Sequence, residues 1–167
     1  MKHMNRPEKA MQIHPPIAAI EDALSFRVAR FNLINDRLGG ANFVKRFGIT
    51  LNEWRVIGLT HSADRPTHSD IRKTLLMDKG QLSRIVSSLG ERGLLHVKEA
   101  ESDKRAIQLE LSAEGQELHD HILTEASRRN ESVASCFTAE ECAEFLRLLD
   151  KLTDHAVMRA ASEGIEP

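Results

Sequence analysis

Two cysteines in a chain of 167 residues, Cys136 and Cys142, are too few to frame a disulfide scaffold, and their neighbourhood has no zinc-ligand spacing. No apolar run approaches the roughly 20 residues of a membrane span, and the first residues lack the hydrophobic block of a signal peptide. The expectation is a cytoplasmic protein with no membrane partner. Ser/His/Asp, paired-carboxylate and phosphate-cradle arrangements are all missing, which argues against an enzyme and against a bound cofactor. There is neither an internal repeat nor a low-complexity segment. Net charge is also scarce: the chain carries only −2.

That small total hides a division. Residues 1–64 hold 9 Lys/Arg against 6 Asp/Glu, residues 65–105 again hold 9 against 6, and residues 106–167 hold 5 against 13. An acidic C-terminal part can simply keep the chain soluble, or it can face away from a polyanion that the basic middle faces. At 41% apolar and 29% charged residues the composition is that of a globular protein with a real core.

Residues 1–16 carry scattered charges and end in Pro15 and Pro16, so a flexible N-terminal arm is expected there. From Ile17 the apolar positions Ile20, Leu24, Val28, Phe31, Ile34 and Leu38 step by three or four, which predicts a long amphipathic helix. Gly39 and Gly40 are expected to bend or interrupt it, and Gly48 to end it. Helix starts follow from side-chain caps: Thr50 with Glu53 and Thr138 with Glu141 are capping boxes, and Thr67 with Asp70 and Asp78 with Gln81 are looser versions. These predict helices over 51–61, burying Leu51, Trp54 and Ile57; over 68–76, burying Ile71 and Leu75; and from 79 to near Gly93, burying Leu82, Ile85, Val86 and Leu89. After Gly93 the period changes to two. Leu95 and Val97, then Ile107, Leu109 and Leu111, alternate with polar partners around a charged turn, which predicts a β-hairpin. Ser112 caps a fifth helix with Leu118, Ile122, Ala126 and Val133 on one face. The sixth carries Cys142, Phe145, Leu149, Leu152 and Ala156.

Helix, short turn, helix and hairpin make a winged helix-turn-helix. The fold class expected is mainly α with a small β-hairpin wing, the winged lobe spanning 49–111. Lys79, Gln81 and Arg84 fall on the outer face at the start of the second helix of the pair, where Arg can pair with guanine and Gln with adenine in a major groove. Gly80 permits close backbone approach, and Ser69, Ser83 and Ser88 can bind phosphate. On the hairpin, Arg105 is placed to enter a narrow minor groove, with Asp103 orienting it. Lys104 and Lys98 suit phosphate contacts. The simpler alternatives are a solvated polar face and a surface ion pair of about 0–1 kcal/mol.

The run DKGQLSR at 78–84, followed by Leu89 and Arg92-Gly-Leu94, resembles the recognition helix of the MarR (multiple antibiotic resistance regulator) family. The run DKRAIQLELSAEG at 103–115 is similar to that family's wing signature. The order of elements fits over residues 17–162. The resemblance implies a homodimer in which helices from both ends of the chain, 17–48 and 112–163, interlock. It further implies two wings on one palindromic double-stranded operator and a small-molecule effector that releases the DNA. The family's ligand pocket lies between dimerisation helices and DNA-binding lobe, which makes Arg27, Arg30, Phe31, Trp54 and Arg55 the candidates by position. An Arg beside aromatic surface suits an aromatic carboxylate or its thioester. Phe31 and Trp54 are most simply read as core residues.

Eight histidines leave a metal-responsive version open, although His119 and His121 lack the i, i+4 spacing of a helical metal site. The family's peroxide sensors carry a thiol near the start of the first helix, and none stands there; Cys142 follows two glutamates, which do not lower a thiol's pKa. A regulator without an effector and a protein-binding winged helix remain as alternatives.

Overall fold

The computed structural model describes residues 14–63, 65–99 and 106–165. Most of the expected arm over 1–16 lies outside them. Helix does not begin at Ile17. A 3-10 turn, Ile20–Asp22, comes first, and the Asp22 carboxylate accepts from the Ala18 and Ala19 amides at 2.9 and 3.0 Å. Those two N–H groups hold its carboxyl below the usual carboxylate range. Ala23 is extended, so α1 starts at Leu24 and runs through Phe47. It crosses Gly39-Gly40 without a break: the expected interruption does not occur, because a glycine costs a helix interior only about 1 kcal/mol and need not end it. Gly48 ends it in the left-handed region at φ 65, its amide donating to the Val44 carbonyl.

The chain forms two compact units, residues 1–42 and residues 43–167. In the first, Ile17, Ile20, Leu24, Val28, Phe31, Ile34 and Leu38 all stand exposed on the single chain.

The second unit begins with α2, Leu51–Ser62, α3, His68–Leu75, and α4, Lys79–Glu91. Their starts are set by the expected caps. Thr50 and Glu53 form a full capping box, and Thr67 with Asp70 forms one too, tighter than the sequence suggests. Asp78 accepts the Gln81 amide at 2.9 Å. Between α3 and α4, Leu76 adopts φ 52, a left-handed conformation that a leucine takes only under constraint. The core beneath these helices consists of Ile49, Val56, Ile57, Ile71, Leu82, Val86 and Leu89, closed by Leu95, Leu109 and Ile122.

Strands β1, Leu95–Glu99, and β2, Ile107–Leu111, pair antiparallel with Leu95 opposite Leu111 and Val97 opposite Leu109. Alternation predicts Val97 and Ile107 as buried, yet both are about half exposed, at 50% and 45%. The core reaches only Leu95 at the start of β1 and Leu109 and Leu111 on β2, and leaves the outer part of the ladder wet. The loop entering α3 docks on the outer edge of β2: the Leu109 amide donates to the Pro66 carbonyl at 3.0 Å, and Thr67 bridges Gln108.

The wing ends in a compact joint. Ser112 donates its hydroxyl to the Gly93 carbonyl at 2.6 Å and accepts from the Gly115 amide at 3.0 Å. A Cβ on Gly115 would lie 2.1 Å from the Leu94 carbonyl oxygen, so only glycine lets α5, Ala113–Ala134, leave the wing at this angle. Helix α6, Ala139–Ser162, buries no side chain. Its apolar stripe, Phe145, Leu149 and Leu152, is exposed, since none of the described residues covers it. No helix among the described residues is long and apolar enough to cross a membrane.

Candidate nucleic-acid interface

Helix α4 is divided lengthwise by its sequence. Leu82, Val86 and Leu89 are buried in the core, while Lys79, Gly80, Ser83 and Arg84 are exposed and Gln81 is half-buried. The buried stripe fixes the rotation of the helix, so the polar residues at its start necessarily face outward. A Cβ on Gly80 would come within 3.2 Å of the Asp78 carboxylate, so the glycine also keeps that cap undisturbed.

Between α3, α4 and the wing lies a groove of about 420 Å3 with Val86, Val97 and Ile107 on its apolar side. Ser69, Lys79 and Ser83, three of the residues singled out from the sequence, meet at its rim. His68, the first residue of α3, joins them there with Nε2 3.4 Å from the Ser83 hydroxyl oxygen. Burial lowers the His68 pKa below 6.5, and the charges of Lys79 and Arg72 lower it further. The sequence offers no spacing that marks this histidine, because its partners lie on another helix.

Ser88 belongs elsewhere. It is half-buried and its hydroxyl donates to Glu53 Oε1 at 3.2 Å, which turns it inward rather than toward a phosphate. The same oxygen accepts from Arg92 Nη1 at 3.3 Å, and Arg92 Nη2 donates to the Gly48 carbonyl at 3.1 Å. Glu53 Oε2 meanwhile accepts the Thr50 amide at 2.7 Å. A buried carboxylate thus ties the start of α2 to the far end of α4, its desolvation offset by hydrogen bonds from three residues, Thr50, Ser88 and Arg92.

On the wing, Lys98 forms an ion pair with Glu110 at 2.5 Å and holds the Glu110 carboxyl below its usual range. A lysine expected to meet phosphate is therefore engaged within the hairpin. Asp103, Lys104 and Arg105 lie outside the described residues.

The ligand candidates divide between the two units. In the first, Arg27 donates to the Glu21 carbonyl at 2.8 Å, and Arg30 and Phe31 are exposed on α1. In the second, the Trp54 ring packs 5.2 Å from the Phe43 ring, centroid to centroid, as a core neighbour. Its Nε1 is buried with no hydrogen-bond partner among the described residues. Arg55 donates to the Asn52 side chain at 2.8 Å. His119 is buried and stacks on His61 with centroids 4.0 Å apart, and His121 sets its edge against Phe47. Cys136 is exposed and Cys142 half-buried, both as free thiols.

Two helices joined by a tight turn, the second with a polar outer face, and a hairpin wing beside them define a winged helix-turn-helix protein. A family model described as "MarR family" matches residues 47–106, which hold α2, α3, α4 and the first strand of the wing. A MarR/EmrR family transcriptional regulator from Acinetobacter sp. ADP1 superposes with a TM-score of 0.71 at 28% identity, over 80% of this chain and 96% of that one. By sequence over residues 47–106 and by fold over most of its length, the chain is similar to MarR-family proteins, which are transcription regulators. Among relatives, the HTH-type transcriptional regulator Hpr of Halalkalibacterium halodurans is 33% identical over 76 residues, 46% of this chain but only 40% of that protein. The fold is shared further with Bordetella bronchiseptica BpsR, at TM-score 0.73 and 17% identity over 81% of this chain and 96% of that one, a structure described as showing regulation of its DNA binding by 6-hydroxynicotinic acid.

Proposed function

We propose that the chain is a cytoplasmic transcriptional regulator that binds a palindromic operator as a homodimer and represses until a small aromatic acid or its thioester releases it. The observation that carries this is the outward face of α4, where Lys79, Gly80, Ser83 and Arg84 stand exposed beside the wing. In a major groove Arg84 and Gln81 read base edges, while Lys79, Ser83 and Ser69 hold phosphates. Lys104 adds a phosphate contact, and Arg105, oriented by Asp103, enters the adjoining minor groove. The winged lobe is residues 49–111. Residues 17–48 and 112–163 pair with a second copy, a role supported by the exposed apolar stripe of α6 and the exposed apolar residues of the first unit. Repression needs only occupancy of the promoter, whereas activation requires an added surface for polymerase.

The effector reading is supported by Trp54, whose buried Nε1 has no hydrogen-bond partner among the described residues and is a donor suited to a carboxylate. Arg55 on the same helix supplies charge; Arg27, Arg30 and Phe31 are the candidates on the first unit. Regulation of BpsR by an aromatic acid supports the same ligand class.

The test is a gel-shift titration on the region upstream of the protein's own coding sequence. Arg84→Ala and Arg105→Ala should each weaken binding by about 1–3 kcal/mol per site. Unchanged affinity in both would remove the reading face. A thermal-shift screen with aromatic acids and their thioesters checks the effector, and stabilisation lost in Trp54→Phe is the expected outcome.

A further inference from the structure

We propose that His68 is a phosphate contact of the DNA-bound protein, one that takes a proton from solvent as the backbone phosphate seats at the rim between α3 and α4. The inference rests on the DNA-binding reading above and adds a residue and a proton to it. His68 occupies the same rim as Ser69, Lys79 and Ser83, with its Nε2 3.4 Å from the Ser83 hydroxyl. A ring in that position lies within reach of an anion held by the Ser83 hydroxyl.

The charges around it make the proton conditional. From its own helix His68 faces Arg72, and from α4 it faces Lys79. Asp70, the nearby carboxylate, is turned to the Thr67 amide and hydroxyl at 2.9 and 2.7 Å. Among the described residues, the wing lines the groove with Val97, Ala106 and Ile107, none of them charged. Partial burial and two cations therefore keep the imidazole neutral in the free protein near pH 7. A phosphate brings a compensating negative charge to the same rim. It offsets Lys79 and Arg72, accepts a hydrogen bond from the imidazolium, and raises the pKa in the complex above that in the free protein.

The sign follows from linkage. Protons taken up on binding make affinity rise as pH falls, through the window between the free and bound pKa values. Below that window both states are protonated and the dependence ends; above it neither is. The salt dependence moves in parallel, because an imidazolium displaces one more counterion than an imidazole does.

The experiment measures duplex affinity of the full chain by fluorescence anisotropy, using labelled DNA from upstream of its own coding sequence. Wild type and His68→Gln are compared from about pH 6 to pH 8 at fixed ionic strength. The wild type should gain about 10-fold more affinity across that range than His68→Gln does, and its salt slope should steepen at the acid end only. Equal pH dependence in the two proteins overturns the proposal. Should the variant fold poorly, the wild-type His68 ring resonance, titrated by NMR with and without duplex, decides: an upward move of its midpoint on DNA is expected, and an unmoved midpoint overturns the assignment. Absence of duplex binding by the wild type at every pH would instead bring down the regulator reading itself.

Discussion

The winged lobe and helix α6 use similar apolar stripes to opposite effect. Leu82, Val86 and Leu89 on α4 vanish into a core shared with α2, α3 and the base of the wing. Phe145, Leu149 and Leu152 on α6 repeat the same three-or-four spacing and remain exposed. One region completes its folding within a single chain, and the other carries a face that a single chain leaves wet. On the homodimer reading proposed above, two regions encoded by one periodicity depend on protein concentration in different ways: the lobe not at all, the helix strongly.

The largest effect should come from breaking the wet face. Leu149→Glu combined with Leu152→Glu is expected to give monomers by light scattering and to lower operator affinity about 100-fold or more, through lost bivalency. The lobe should keep its circular dichroism signature. Dimers in the double variant would show that α6 is not the pairing surface. Next, Leu82→Ala removes a fully buried side chain and should cost about 2–5 kcal/mol in urea unfolding. Gly115→Ala forces α5 away from the Leu94 carbonyl and should cost about 1–3 kcal/mol in the same assay. The smallest effect is one of pH. His68 has a lower pKa folded than unfolded, so the unfolded chain binds the proton first as pH falls below 6.5. Stability of the DNA-free protein should decline there, less so in His68→Gln, and equally in dimer and monomer because the group belongs to the lobe. Thermal unfolding against pH reads it.

What the sequence made legible was mostly local. Thr50, Thr67, Asp78, Ser112 and Thr138 each cap the helix they announce, because a cap is decided within four residues. The Leu82 stripe fixed which face of α4 points out, and with it most of the candidate interface. Alternation placed both strands but not the exposure of Val97 and Ile107, since a period of two says nothing about where the core stops. Glycine pairing suggested a break in α1 that helix propagation overrides. The junction of Glu53 with Ser88 and Arg92 joins residues 35 and 39 positions apart, beyond any helical or strand spacing, and so local pattern alone leaves Ser88 as a phosphate contact. His68 was missed for the same reason: its meaning comes from Ser83, 15 positions on and in another helix.

The docking of the Pro66 carbonyl on Leu109 has a further consequence. It fastens the wing to the entrance of α3, so the span from α4 to the hairpin is a fixed ruler rather than an adjustable one. On the reading proposed above, a duplex whose groove width departs from that ruler must deform to fit. The cost depends on the stiffness of base steps that no side chain touches. Part of the operator's identity would then be written in the mechanics of the DNA, and a single backbone hydrogen bond would set the gauge.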